Sequence, residues 1–413
     1  MSIYQAAKQH YTSTKKLTAD QRPSVRSLVL GYAMGRLLAQ GNHRKLHYLC
    51  QFASKFGTGL AHYFWAKSLF LQDRQADALK HINLHLQQHP KSADAHYLKA
   101  EILVQLGEKE AARALLIEML SWTTRKKTWQ HLANTVTNQA EFEHYVALLR
   151  QHFGDLEQLS YDLASHLTHA AYTSANEDFA LQLWQKRHAQ HRISPAPKTK
   201  KIVKFSQQAA SQALKDLKIY LDKHNIAFFL ISGTLLGCVR DGKLLGHDKD
   251  IDIGIYNTVN RQHLESLCRQ SGLFYVLPAS HSELLVLRHL NGTTIDVFIH
   301  DDDTQVCRHY GGKCLWSNHS FALTKHHFLG DDYLIPQDYD RYLTENYGDW
   351  RTPKIDFDSA LDTPNMHITN HAKMCIYLYK RLLNPDAHLS KNLRERLNEY
   401  LNQLNKSIHE QPT

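Results

Sequence analysis

An acidic run in the second half of the chain constrains the fold more than any other feature. Residues 247–254 read His-Asp-Lys-Asp-Ile-Asp-Ile-Gly, so acids alternate with other residues along the run. Side chains of a β-strand alternate between its two faces. Asp248, Asp250 and Asp252 therefore share one face, and the two isoleucines lie on the other, against a core. The pattern predicts a strand over 250–256 that is buried on one side and acidic on the other.

The three carboxylates of this strand repel one another unless a cation neutralises them. Oxygen ligands alone select magnesium, manganese or calcium. A solvated edge strand explains the acids but not the buried isoleucine face. A further acid, Asp296, lies within the apolar strand 294–300, where a carboxylate is costly unless it is paired or binds a metal. We expect Asp296 to lie beside Asp250 and Asp252 in one sheet and to complete a metal site.

A small-residue turn precedes the acidic strand. An apolar strand over 226–231 leads into Ser232, Gly233 and Thr234, and a short helix is predicted over 234–240. Backbone N–H groups at such a turn bind phosphate well. The order of strand, Ser-Gly turn, helix, Asp-x-Asp strand and a third Asp on a later strand resembles the nucleotidyltransferase fold.

Three motifs extend this likeness to a family. Residues 232–240 read Ser-Gly-Thr-Leu-Leu-Gly-Cys-Val-Arg, residues 248–254 read Asp-Lys-Asp-Ile-Asp-Ile-Gly, and residues 347–353 read Tyr-Gly-Asp-Trp-Arg-Thr-Pro. In this order they resemble the signature of the LicD/fukutin family. The resemblance covers about residues 205–355.

The resemblance implies transfer of a phosphate-linked group, phosphocholine or a polyol phosphate, from a CDP-activated donor to a cell-surface glycan or glycolipid precursor. It implies that Asp250 and Asp252 hold Mg²⁺ (or Mn²⁺) against the donor phosphates. Asp296 would bind a second ion and help to deprotonate the acceptor hydroxyl. Asp248 would be a further metal ligand or an acid just outside the ligand set.

The resemblance also implies the groups that hold the donor phosphates. Ser232, Gly233 and Thr234 would cradle them, and Arg240 and Lys243 would offset their charge. The alternative for Arg240 and for Lys243 is a position in a solvated loop that does not contact the phosphates.

Two places near the motifs leave alternatives open. The family's Pro-Trp pair before the acidic run is Gly246-His247 here, which leaves the donor group undecided. Tyr347 and Asp349 belong either to a catalytic element or to a structural turn.

Two other functions compete with this one. The domain transfers a nucleoside monophosphate to a small molecule or protein, or it is a non-catalytic domain on a scaffold. The buried, mutually repelling acids argue against the scaffold, because a decayed site has no reason to keep them.

The first half of the chain shows a 34-residue period, which is typical of tetratricopeptide repeats. The period predicts helices over 61–72, 75–88, 95–106 and 109–120, and an ordinary helical bundle is the alternative. Such repeats favour a protein partner. The aligned pairs are Tyr63 with Tyr97, Ala66 with Ala100, and Ala78 with Ala112.

A proline-containing basic stretch, 192–201, separates the two halves. We therefore predict an α+β protein with an all-α, tetratricopeptide-like domain over 1–195 and a nucleotidyltransferase-fold catalytic domain with a mixed sheet and C-terminal helices over 196–413.

After the strand with Asp296, the pattern predicts a long polar loop, a helix over 336–346, and terminal helices over 374–383 and 393–404. Cys307 and Cys314 fall in that loop. A zinc site there is the alternative, but their spacing is not a standard one. We expect all six cysteines to be free thiols.

The formal net charge of +9 favours anionic partners, although solubility alone also explains it. Such partners include nucleotides, phosphorylated glycans, anionic lipid and nucleic acid. The family resemblance implies a CDP-activated donor and a glycan or glycolipid acceptor, and no nucleic acid. The chain has no apolar run of bilayer length, and its first 16 residues lack the apolar core of a secretory signal. A cytoplasmic protein, at most peripheral on the inner membrane face, is expected.

Overall fold

The computed structural model forms two compact units. The first comprises Met1–Val136, Glu265–Val276 and His289–Asn291, and the second comprises Thr137–Leu264, Leu277–Arg288 and Gly292–Thr413. The predicted boundary between residues 195 and 196 lies outside the described residues and stays a prediction. The structure describes residues 11–18, 24–57, 59–190, 206–246, 248, 250–279, 281–354 and 356–410.

Helices make up the N-terminal half of the described chain. A 3-10 turn spans Leu156–Gln158, and a π-helical turn spans Gly237–Asp241. The helices are α1 (11–17), α2 (Val25–Ala39), α3 (His43–Ser54), α4 (Gly59–Phe70), α5 (Gln75–Gln88), α6 (Ala93–Gln105), α7 (Lys109–Met119), α8 (Lys126–Ala133), α9 (Gln139–Phe153), α10 (Tyr161–Thr173), α11 (Glu177–Gln190), α12 (Gln207–Lys223), α13 (Ser232–Leu236), α14 (Arg261–Gln270), α15 (Tyr339–Tyr347), α16 (Ser359–Asp362), α17 (His371–Leu383) and α18 (Lys391–Glu410).

The first unit stacks helical hairpins, of which α4–α5 and α6–α7 are the two predicted repeats. Each of their four helices lies within two residues of its predicted bounds. The four repeated alanines are all buried, at 2% exposure or less. Small side chains let paired helices approach closely, so the 34-residue period follows from helix packing. Gly107, with a φ of 83°, makes the turn between α6 and α7.

The strands form one ten-stranded mixed sheet. Eight of them lie in the order β10-β7-β6-β5-β2-β1-β9-β8, and β4 pairs antiparallel with β5 off this path. The neighbours β2–β5 and β1–β9 are parallel. The strands are β1 (Phe229–Leu230), β2 (Asp250–Tyr256), β3 (Phe274–Leu277), β4 (Leu284–His289), β5 (Thr294–Asp302), β6 (Val306–Tyr310), β7 (Cys314–His319), β8 (Leu323–Phe328), β9 (Asp331–Pro336) and β10 (Met366–Ile368).

The acidic strand β2 lies in the middle of this sheet. Ile251, Ile253 and Ile255 have no exposed surface, whereas the alternate acids are half-buried on the other face. The strand has the predicted bounds, because its side chains alternate as the pattern required. The α+β class is confirmed, with an all-helical N-terminal region and a mixed sheet after it.

The prediction of a long polar loop after Asp296 is wrong. The structure has four strands there, β6 to β9, so the sheet continues almost to the next helix. On β6 and β7 polar residues occupy buried as well as exposed positions, among them buried His309 and Asn318, and this hides the two-residue period of burial. The helix predicted from 336 begins at Tyr339, because Pro336 is the last residue of β9.

Cys307 and Cys314 lie on β6 and β7 rather than in a loop, and both are buried. All six cysteines are free and buried. No helix of the described chain is long and apolar enough to cross a bilayer.

Candidate functional site

The turn between β1 and α13 forms one side of the candidate site. Ser232 begins α13 with a φ of 47°, in the left-handed region. Holding a non-glycine residue there costs about 1–3 kcal/mol, and such residues concentrate at functional sites. The carboxylate of Asp248 packs against Gly233 so closely that a Cβ at this position would overlap it. Glycine at 233 therefore lets a carboxylate approach the backbone of the turn.

Asp252 and Asp296 lie opposite each other on the parallel strands β2 and β5. Two residues earlier on β2, Asp250 lies opposite Thr294. Residues two apart on a strand share a face, and paired residues of neighbouring strands share it too. The sheet therefore places Asp250, Asp252 and Asp296 on one face.

Two hydrogen bonds connect the turn to the acidic strand. The backbone N–H of Asp252 donates to the hydroxyl oxygen of buried Thr234, at 2.9 Å. The backbone of Gly233 donates to the carboxylate of Asp252. These bonds fix the position of Asp252 relative to the turn.

Burial and mutual repulsion perturb the carboxylates. Burial raises the pKa of Asp252 well above its usual range, and the charges of Asp250, Asp248 and Asp296 raise this pKa further. The bond from Gly233 opposes the shift. Burial, and then the charge of Asp250, raise the pKa of Asp296 to about 7. Carboxylates in such a cluster stay ionised only when positive charge is brought to them.

A cavity of about 880 Å³ lies within the second unit, and the turn and the acidic strand form part of its wall. Residues between 346 and 393, which follow β9 in the chain, form most of the rest of the wall. The lining residues from the turn and the strand are Ser232, Gly233, Asp248, Asp250 and Asp252.

The Tyr-Gly-Asp-Trp motif also borders this cavity. Arg240, in the π-helical turn, donates from Nη1 to the Trp350 carbonyl at 3.3 Å. Burial raises the pKa of the Tyr347 hydroxyl, and the carboxylates of Asp252 and Asp248 raise it further. The Tyr347 hydroxyl thus stays protonated near the acids and is a hydrogen-bond donor.

Asp349 has a different environment from Tyr347. A hydrogen bond from Thr352 lowers its pKa, and it lies at the exposed end of the motif. Of the two alternatives for Asp349, this contact favours the structural turn.

Other lining residues come from segments that carried no sequence motif. The Arg381 guanidinium donates to Asp358 through Nε at 3.1 Å and through Nη2 at 2.9 Å. The Asp358 side chain is 1% exposed and also accepts from the backbone N–H of Ala360. Sequence reasoning missed this pair, because the two residues are 23 positions apart and form no local pattern.

His309, which the sequence indicated only as a neighbour of Cys307 and Cys314 at the alternative zinc site, is a second lining residue. Its ring stacks on Trp316, with centroids 5.0 Å apart, and contacts Phe298 edge-on. Burial lowers its pKa well below the usual value, and His300 lowers it further. Nδ1 of His309 is buried and has no hydrogen-bond partner within the described chain.

The remaining predicted residues lie outside the cavity wall or outside the described chain. Thr234 and Asp296 adjoin Asp252 but are not lining residues in the described part. Lys243 is exposed, and its carbonyl lies where a Cβ on Gly237 would meet it, 2.6 Å away. Its predicted phosphate contact stays a prediction. His247 and Lys249 lie outside the described residues.

The acids nevertheless fit a divalent cation by their chemistry. They are hard oxygen ligands on one sheet face, and burial with mutual repulsion raises the pKa of Asp252 and Asp296. Among described residues, no three His, Cys, Asp or Glu side chains stand close enough together to form a ready-made metal site. The fit to a cation thus rests on the carboxylate oxygens as ligands and on their shared sheet face, rather than on a complete set of ligands around one point.

Comparison with known proteins supports the same region. The family model described as LicD/FKTN/FKRP, nucleotidyltransferase domain, matches residues 225–338, and a tetratricopeptide repeat model matches residues 69–133. Both predicted resemblances are confirmed. The first of these models describes a nucleotidyltransferase domain.

Two curated relatives, both uncharacterized proteins, are similar to part of the chain. A protein of Rickettsia typhi is 28% identical over 144 residues, which is 34% of this chain and 45% of the relative. A protein of Rickettsia prowazekii is 28% identical over 147 residues, which is 34% of this chain and 54% of the relative. The chain thus spans about half the length of each relative. Residues 225–338 are thus similar to LicD/FKTN/FKRP nucleotidyltransferase domains, and residues 69–133 are similar to tetratricopeptide repeats.

Proposed function

We propose that the second unit is a metal-dependent phosphotransferase. It moves phosphocholine or a polyol phosphate from a CDP-activated donor to a hydroxyl of a cell-surface glycan or glycolipid precursor. The observation that carries this proposal is the placement of Asp252 opposite Asp296 on neighbouring parallel strands, with Asp250 on the same face.

Asp250, Asp252 and Asp296 would hold Mg²⁺ or Mn²⁺, with Asp248 as a further ligand. When bound, the cation neutralises the charge of the donor phosphates and of the phosphoryl group in transfer. The raised pKa of Asp252 supports this assignment, because burial and then the neighbouring carboxylates disfavour its charge, and a bound cation offsets both effects.

The turn supplies the donor-binding groups. Ser232 and Gly233 line the cavity beside the acids, and Arg240 lines it from the π-helical turn. A guanidinium beside the transferred phosphate offsets negative charge as the reaction proceeds. Tyr347 remains protonated, so its hydroxyl can donate to a phosphate or sugar oxygen.

The transfer balances as a single displacement. The acceptor hydroxyl oxygen forms a bond to the β-phosphorus of the donor, and the bond from that phosphorus to the bridging oxygen breaks. CMP leaves with the electron pair, and the hydroxyl proton passes to a carboxylate. We propose that Asp296, directly opposite Asp252 on the same sheet face, receives it.

A donor screen with a mass readout tests the proposal. The protein is incubated with glycan acceptor, Mg²⁺ and CDP-choline, CDP-glycerol or CDP-ribitol in turn. We expect release of CMP and an acceptor heavier by the corresponding phosphate group. An acceptor that gains a nucleoside monophosphate instead would show that the chain is a nucleotidyltransferase. Absence of Mg²⁺-dependent binding of any of the three donors would also overturn the proposal.

The partner assignments follow from the same domains. The donor is a CDP-activated compound, the acceptor is a glycan or glycolipid, and the tetratricopeptide repeats bind a protein partner. Repeat hairpins present surfaces of this kind.

A further inference from the structure

The first helical hairpin of the first unit carries large apolar side chains that face solvent. On α2 they recur at intervals of four and three residues, and on α3 and just beyond it at intervals of four. Such spacing places each set on one side of its helix. The six side chains, each between 52% and 78% exposed, are Val25, Val29, Tyr32, Tyr48, Phe52 and Phe56.

The two sets form one continuous face. A three-residue turn joins α2 to α3, so the helices run antiparallel. The opposite sides of both helices, with Met34 on α2 and Cys50 on α3, are buried in one core that also includes α4. The exposed sides therefore point the same way. The Arg26 guanidinium lies 4.8 Å from the centroid of Phe56, which joins the start of α2 to the end of α3.

The charge around this face has one sign. Residues 21–72 contain no aspartate or glutamate, although the whole chain has 40 of them. Five cations of the hairpin, which are Arg26, Arg36, Arg44, Lys45 and Lys55, are exposed. The face thus combines exposed rings and aliphatic groups with positive charge and no acid of its own.

We propose that this face of α2 and α3 is a docking surface for an anionic lipid bilayer. Aromatic and aliphatic groups on one side of a helix, with Lys and Arg around them, are the composition that binds the boundary of headgroups and acyl chains. Each Lys or Arg near an anionic leaflet adds to the attraction. The face requires no substrate or catalytic step, so the proposal is independent of the transferase reaction.

The same charge pattern argues against a second copy of the chain as the occupant. Two copies of this face would bring like charges together, without an acid from either hairpin to offset them. An anionic bilayer satisfies both the cations and the apolar groups.

Vesicle co-sedimentation with the full chain tests the proposal. One set of vesicles is phosphatidylcholine alone, and the other contains equal parts of phosphatidylcholine and phosphatidylglycerol. We expect binding to the anionic vesicles, at least about tenfold weaker binding to the neutral ones, and release at high salt.

Two double variants separate the apolar contribution to vesicle binding from the electrostatic contribution. Phe52→Ser with Phe56→Ser removes apolar groups, and Arg26→Glu with Arg36→Glu reverses charge. Each double variant is expected to weaken binding to anionic vesicles by about tenfold or more. Matched controls on α12 in the second unit are Ile219→Ser, at a side chain 57% exposed, and Lys223→Glu. Both controls are expected to bind like the unchanged protein.

The outcomes separate the possible occupants. Circular dichroism establishes whether each variant is folded. If the serine variant does not fold, the charge-reversal variant still tests the proposal, because it alters only exposed side chains. Equal binding of both vesicle types, or unchanged binding by a folded charge-reversal variant, overturns the proposal. The proposal is also overturned if the protein does not bind vesicles but binds a poly-glutamate peptide. It is likewise overturned if sedimentation shows a dimer that the substitutions dissociate.

Discussion

Asp252 on β2 lies directly opposite Asp296 on β5, at the same level of two parallel strands. Burial raises the pKa of both carboxylates, and Asp296 adds to the shift at Asp252. Two carboxylates of this kind in the middle of a sheet destabilise the fold unless they bind a cation or one of them is protonated. This relationship is the physical basis for a metal-dependent site.

The hydrogen bond between Thr234 and the Asp252 backbone yields a stability prediction. Thr234→Val keeps the shape of the side chain but leaves the Asp252 N–H without its acceptor, at 2.9 Å in the native chain. We expect a loss of about 1–3 kcal/mol in the free energy of unfolding by urea. Thr234→Ser keeps the hydroxyl and is expected to lose less. A valine variant as stable as the native protein would show that this bond does not hold the turn to the strand.

Gly237 begins the π-helical turn and is packed against backbone. A Cβ there would lie 2.6 Å from the Lys243 carbonyl oxygen and 3.2 Å from the Leu245 nitrogen, and neither atom can rotate away. We expect Gly237→Ala to cost about 1–3 kcal/mol of stability and to lower transfer activity by displacing Arg240.

Gly246→Ala is the matched control for this substitution, because nothing lies within 4 Å of a Cβ at that position. It is expected to unfold at the same denaturant concentration as the native chain. Equal stability of the two alanine variants would contradict the packing argument.

His300 predicts an acid-dependent loss of stability in the second unit. Its Nδ1 lies 3.1 Å from the Phe298 carbonyl, and burial lowers its pKa from 6.5 to about 4. As pH falls below 6.5, the unfolded chain gains a proton at this residue while the folded chain does not. The stability from His300 is therefore complete above pH 6.5, and about 3 kcal/mol of it is lost as pH approaches 4.

His300→Phe keeps an aromatic ring without a titrating group. Urea unfolding at a series of pH values is expected to give a shallower acid slope for this variant than for the native chain. Other buried histidines titrate in both proteins, so the difference between the two slopes is the relevant quantity. Identical slopes would show that His300 is accessible to protons in the fold.

Magnesium is expected to stabilise the native chain against heat. At a concentration a hundredfold above its dissociation constant, a ligand adds about 2.7 kcal/mol, which is several degrees in Tm. Asp296→Asn removes one repelling carboxylate, so this variant should match or exceed the native Tm without metal and gain less from Mg²⁺.

Asp332→Asn, at an exposed acid on β9, is the control and should respond to Mg²⁺ like the native chain. An unchanged native Tm in Mg²⁺ and Mn²⁺ would favour the scaffold alternative over the enzyme.

The sequence was informative where the side-chain period was simple. β2 and α5 have their predicted bounds, since an acid–isoleucine alternation and a helical repeat each leave one consistent assignment. The partnership of Asp252 with Asp296 was also expected, because an acid in an apolar strand needs a neighbour. The strands β6 to β9 were missed, and on β6 and β7 buried polar residues such as His309 and Asn318 interrupt the apolar alternation that indicates a strand.

The far wall of the cavity was not predictable in the same way. Asp358, Arg381 and His309 become lining residues only through tertiary packing, and none belongs to a spaced motif. Lys243 is exposed in the structure, and its role at the donor phosphates stays a prediction. Local patterns thus identified the acids and the turn, whereas the cavity that contains them depends on segments far along the chain.

The central claim is that these carboxylates carry out a metal-dependent transfer. The most direct test is the rate of acceptor modification by Asp252→Asn, with a CDP-activated donor and Mg²⁺, compared with Asp332→Asn. We expect Asp252→Asn to remain folded and to lose activity by at least about a hundredfold, and Asp332→Asn to keep the native rate. A folded Asp252→Asn protein that transfers at the native rate would contradict the assignment of the site.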